Sequence, residues 1–166
     1  MASISSSNLV DAVGRIESMT FRQREQLAEE VHAQQPNLFF SVLALQRHGA
    51  SLEQLEVVLN LLLVFHEAMK GSGKRWPVIS EVMQERCLAR VSGRVRFIEG
   101  LTPQQQGQAT SDAVANHTEK QLLAYVFLKF KDSDLLGIET EAEKMLMLAA
   151  LNLVECVAEA APRAAK

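Results

Sequence analysis

Residues 51–65 read Ser-Leu-Glu-Gln-Leu-Glu-Val-Val-Leu-Asn-Leu-Leu-Leu-Val-Phe, and the fold class follows from how that stretch must be covered. Ser51 with Gln54 matches the Ser-x-x-Gln capping box, which satisfies two free amides at a helix start. From Leu52 to about Lys70 the predicted helix is apolar almost all round. A helix without a wet face belongs in the middle of a bundle. The greasiest run, Val57 to Phe65, contains Asn60 and falls well short of the roughly 20 residues of a bilayer span. A core helix is expected, and no membrane crossing.

Working outward, the pattern stays helical. Leu9, Val10, Val13, Ile16 and Met19 recur at helical spacing behind Ser7, with Gly14 weakening the segment. Thr20 caps a helix to about Gln34 that carries Phe21, Leu27, Ala28 and Val31, and Pro36 then opens another. That third helix runs to His48, where Gly49 supplies a left-handed stop. After the loop Gly71–Pro77, Pro77 starts a fifth helix, which Ser92-Gly93 ends. Arg94-Val-Arg-Phe-Ile98 alternates polar and apolar, so a small β-hairpin over 88–98 is the competing reading there. Residues 99–116 read as a polar connecting segment. Helix resumes strongly at Glu119–Phe130, and Thr140 with Glu143 caps a last apolar helix to about Ala161.

The expectation is therefore an all-α, single-domain helical bundle of about six to seven helices spanning 1–166, with 1–7 and 162–166 frayed. Its 166 residues, 48% of them hydrophobic, suffice for one core without staples. Only four prolines and eight glycines interrupt the chain, which disfavours a turn-rich β fold. The two long hairpins, 37–70 and 119–160, also look alike. Leu59-Asn-Leu-Leu-Leu-Val-Phe-His-Glu-Ala68 aligns with Leu151-Asn-Leu-Val-Glu-Cys-Val-Ala-Glu-Ala160. Shared helical vocabulary explains this; a pseudo-two-fold bundle with two central helices packed together is the sharper explanation.

Motifs for chemistry are sparse. A formal charge of −3 gives no general attraction to nucleic acid or anionic membranes. Cys87 and Cys156 have no CxxC partner and read as reduced, buried thiols. Asp132-Ser-Asp134 with Gly137 and Glu143 imitates a calcium loop, but Leu136 stands where a ligand is needed, and an interhelix turn is favoured. Gly71-Ser-Gly-Lys74 lacks the strand, first glycine and Ser/Thr of a phosphate loop. Glu29, His32, His66 and His117 are the metal-ligand candidates, with Glu29-x-x-His32 at the di-iron spacing but in one copy only. Arg86, Arg90 and Arg94 form a stripe on one helix face, with Lys74 and Arg75 nearby in sequence. They are the candidates for an acidic partner or an anion.

No nucleophile, base and orienting group can be assembled, and the sequence assigns no cofactor. The functional expectation is a non-enzymatic protein-interaction module that self-associates, because two all-apolar helices need more cover than six elements offer. A metal- or ligand-binding bundle is the alternative, and anion or nucleic-acid binding through the arginine stripe the weaker one. A cytoplasmic location is expected, with export through the Ser-rich start the competing route.

Overall fold

Ser5, Thr20, Ser51, Ser80, Thr102 and Thr140 all stand in extended backbone and accept a hydrogen bond from the amide three residues on. Each opens a helix, because a capping oxygen satisfies one of the orphan amides of a first turn. The computed structural model describes residues 2–165; Met1 and Lys166 lie outside the described residues. The helices are α1 Ser6–Ser18, α2 Phe21–Gln34, α3 Pro36–Leu43, α4 Leu52–Gly71, α5 Glu81–Glu99, α6 Pro103–Asn116, α7 Lys120–Asp132 and α8 Glu141–Ala160. Short 3-10 turns, Ala44–His48 and Ala161–Arg163, extend α3 and α8. No strand occurs among the described residues, apart from one isolated bridge between Arg75 and Ala165.

Helices α4 and α8 are the two central rods, and they pack against each other. All nine residues Leu61 to Met69 of α4 are buried, and α1, α2, α3 and α7 surround it. On α8, Leu146, Leu153, Val154 and Val157 are buried against α4, α5 and α7. Buried side chains from every helix but α6 join one continuous core. By length and composition Glu141–Arg163 also passes for a membrane span, and half of its most apolar window is buried inside the bundle. The first turn of α4 departs from the all-apolar reading: Leu52 is 73% exposed.

Several boundaries differ from the sequence reading, each for a physical reason. The 88–98 hairpin does not form; α5 runs through Ser92-Gly93 to Glu99. Val91, Val95 and Ile98 fall on one helical face and line an apolar hollow against α7 and α8, so the helical period buries more than the alternating one. Gly93 costs that helix about 1 kcal/mol relative to alanine, which the packed face offsets. Pro77 does not begin α5 either: Ser80 is the cap, and Ile79 just before it is fully buried.

The polar segment 99–116 contains a 14-residue helix, α6, opened by the Thr102–Gln105 capping box. None of its residues is buried, so it carries no hydrophobic signal to read. With α6 the described residues form eight helices instead of six to seven. At the chain ends, Ser5 caps α1 in place of Ser7, and Ile4 is fully buried. Ile4 is thus held in the core within a stretch that the sequence places outside it. At the other end Arg75 and Ala165 exchange two backbone hydrogen bonds of 2.7 and 3.0 Å.

The central helix sets a measurable contrast. Leu61→Ala, at a fully buried position, should lower the unfolding free energy by about 2–5 kcal/mol. Leu52→Ala, on the wet first turn of the same helix, should change it by no more than about 0.5 kcal/mol. Urea titration followed by circular dichroism measures both.

Candidate functional site

The four-residue spacing of Arg86, Arg90 and Arg94 puts all three on the side of α5 that faces α8. There the carboxylates of Glu155 and Glu159 receive them. Arg86 pairs with Glu159, Arg90 lies 2.7 Å from Glu159 and 3.6 Å from Glu155, and Arg94 lies 2.8 Å from Glu155. His117, at the end of α6, joins this ladder. Its Nδ1 accepts the Glu119 amide at 3.0 Å, which leaves the ring proton on Nε2, 3.0 Å from Glu155. The hydrogen bond from His117, then that from Arg94, hold Glu155 down to about 2. Arg86 and Arg90 do the same for Glu159, also to about 2. The Cys87 thiol donates to Glu159 at 3.2 Å. Burial pushes both the Cys87 and Cys156 thiols up, so neither is primed as a thiolate.

A second polar cluster joins α1, α2 and α4. Glu67 is buried and accepts from Arg15 Nε at 3.1 Å and Lys70 Nζ at 2.8 Å, and Lys70 reaches on to Glu30 at 2.9 Å. His66 lies beneath, 4% exposed, with no hydrogen-bond partner on either ring nitrogen. Its nearest carboxylate oxygen, on Glu30, is 3.9 Å away. Burial therefore pushes His66 below its ordinary value and keeps the ring neutral.

The four metal candidates singled out by sequence do not converge, although one of them, His117, meets the arginine stripe at Glu155. Glu29 and His32 are exposed on α2, and His32 stacks on Phe39 and Phe40. His66 and His117 sit in the two separate clusters. No group of three or more His, Cys, Asp or Glu side chains is placed to hold a metal among the described residues. Lys74 and Arg75 lie in the linker after α4, tied to Ser3 and Ala165 and not to the arginine ladder.

The sequence reading missed one sizeable concavity. A groove of about 440 Å³ opens between α2, α4 and α7, with Val57, Leu59 and Leu63 of the central helix in its lining. Glu53 and Glu56 stand on the α4 wall and Lys129 on the α7 wall. Phe21, Arg24 and Ala28 recur at helical spacing along α2 and line its third side together with Glu25. Phe21 is 78% exposed, although its spacing suggests the inner side of α2. The signal was available in phase: Phe21 aligns with Ala28, one stripe over from the buried Leu27 and Val31. Comparison with protein-family profiles, curated proteins and solved structures finds no match to this chain.

The two clusters give acid unfolding two stages. His66 binds its proton less readily folded than at its ordinary 6.5, so the unfolded chain takes up the extra proton and stability falls as pH drops below that value. Glu155, near 2 folded against 4.5 ordinarily, contributes stability present above 4.5 and lost between 4.5 and 2. Urea midpoints across pH 8 to 3 should show both declines. His66→Leu should remove the upper one at little cost at pH 8, because the ring nitrogens make no hydrogen bond to lose.

Proposed function

We propose that this chain is a non-enzymatic helical interaction module that self-associates through the α2–α4–α7 groove. The observation that carries the reading is Phe21, a large aromatic left 78% exposed at the edge of a groove lined by core leucines. Aromatic anchors beside apolar pockets are the usual centres of binding energy. The lining carries both signs, Glu25, Glu53 and Glu56 with Arg24 and Lys129, which suits a second copy. A two-fold related copy sets each acidic wall against the partner's lysine while the two Phe21 rings fill the partner's groove.

The sequence-level motive for association was uncovered apolar surface on α4 and the closing helix. Five other helices, α1, α2, α3, α5 and α7, pack on those rods within the chain, and the stretch of α4 left open lines the groove, so the support moves there. A small ligand is the second reading, favoured by a volume inside the roughly 300–1,000 Å³ of small-molecule sites.

Sedimentation velocity of the full chain at micromolar concentration tests the proposal. The expected species is a dimer, loosened by salt because its rim pairs are exposed. Phe21→Ser should weaken it on the order of thirtyfold or more. Val82→Ser, at a 68%-exposed site outside the groove, should not. A strict monomer ends the self-association reading, and an apolar dye displaced from that monomer by Phe21→Ser favours the small ligand.

A further inference from the structure

The helix caps recur in one order, twice along the chain. Ser5, Thr20 with Gln23, Gln35 without a side-chain cap, and Ser51 with Gln54 open α1 to α4. Ser80, Thr102 with Gln105, Glu119 without a side-chain cap, and Thr140, whose box stays open because the Glu143 carboxylate accepts from the Glu139 amide, open α5 to α8. The third helix of each set also ends alike, on a residue with positive φ: Gly49 at 88° and Asp134 at 55°. The next amide then reaches back five residues, Ala50 to the Leu45 carbonyl and Leu135 to the Phe130 carbonyl.

Side chains follow a like correspondence, which on the fourth helices runs three residues out of step with the caps, since Ser51 to Thr140 is a step of 89 positions and Leu61 to Leu153 one of 92. Along α1 and α5, Ile4, Ala12 and Ile16 match Ile79, Cys87 and Val91, all buried. Along α4 and α8, Leu61, Phe65 and Ala68 match Leu153, Val157 and Ala160, again all buried. Arg15 pairs with Glu67 at 3.1 Å, and Arg90 pairs with Glu159 at 2.7 Å, at matching places on the first and fourth helices. Shared helical vocabulary accounts for recurring leucines. It does not account for a repeated order of caps or a repeated interhelix ion pair.

The contacts between the sets are reciprocal. Glu119, buried at the start of α7, accepts from the Ser3 and Ile4 amides at 2.7 and 3.2 Å, just before α1. Gln35, buried at the start of α3, accepts from the Ile79 amide at 2.9 Å and donates to the Pro77 carbonyl at 2.8 Å, just before α5. The side-chain type fits each place, since two amides require a carboxylate, while one amide and one carbonyl require a carboxamide. Likewise α4 touches α7 as α8 touches α3, and α4 meets α8 in the middle. A surface in which i meets j and j meets i is the signature of a two-fold interface. The correspondence breaks at the second helices, since α2 packs on α4 while α6 packs on α5.

We infer that residues 3–71 and 77–161 are two copies of one four-helix unit, fused into a two-fold pair whose mutual surface is an interface complete without the linker. The binding partner of each unit is the other, held by the α4–α8 seam and the two clasps at Glu119 and Gln35.

The test cuts the full-length protein at a protease site inserted between Gly73 and Lys74. The expected product remains one particle with the helicity of the uncut 18.4 kDa chain, and its melt depends on concentration even where Phe21→Ser removes the groove contact. In the cut protein Gln35→Glu, which sets a carboxylate against the Pro77 carbonyl, should raise the dissociation concentration on the order of a hundredfold. Glu119→Gln, the milder variant, should raise it on the order of tenfold. Phe21→Ser should leave it unchanged, which separates this interface from the groove. Pieces that part at micromolar concentration, folded or not, overturn the inference. So does an association that neither clasp variant weakens.

Discussion

The contact between α4 and α8 is the constraint to which the other helices answer. Two rods with almost no polar face at the seam exclude water from each other, and each buried leucine or phenylalanine contributes about 1.5–3 kcal/mol to that exclusion. Once they lie side by side, the remaining surface of each must be roofed. Helices α1, α2, α3 and α7 roof α4, and α5, α7 and α3 roof α8. The amphipathic helices are thus placed by what the central pair leaves uncovered.

Polar groups at the edge of this core are largely answered by one another. Glu155 and Glu159 meet three arginines and a histidine, and Glu67 meets an arginine and a lysine. Such pairs hold neighbouring helices in register, since moving either helix by one turn would strand a charge at a partly dry surface. His66 is the exception, a ring buried with neither nitrogen satisfied. The cationic stripe that stands out in the sequence is consequently answered largely inside the chain, while the more open groove is lined by residues that look ordinary in sequence.

What could be read in advance, and what could not, divides along burial. Helices α2, α4 and α8, each opened by a capping residue, and α7, which has a strong apolar rhythm but no side-chain cap, are legible to within a few residues. Helix α6 was obscure because a helix that buries nothing leaves no hydrophobic rhythm, only the Thr102–Gln105 box. The alternation in Arg94–Ile98 misled because the same residues also satisfy the helical period once α7 and α8 lie beneath them. Ile4 and Glu119 were unreadable for another reason: each is explained by the other, 115 positions away.

From composition, periodicity and caps alone, this chain was bound to be all-helical, with residues 52–70 and the closing helix at its centre, because a helix apolar on every side must be covered by other apolar surface. The likeness of its two halves was also visible there as a pattern of letters. Only the folded chain decided that the likeness extends to matching contacts, that the arginines answer carboxylates on α8, and that Phe21 stands over an open groove. Those outcomes depend on which distant residues share a neighbourhood, and spacing along one helix carries no information about the helix packed against it.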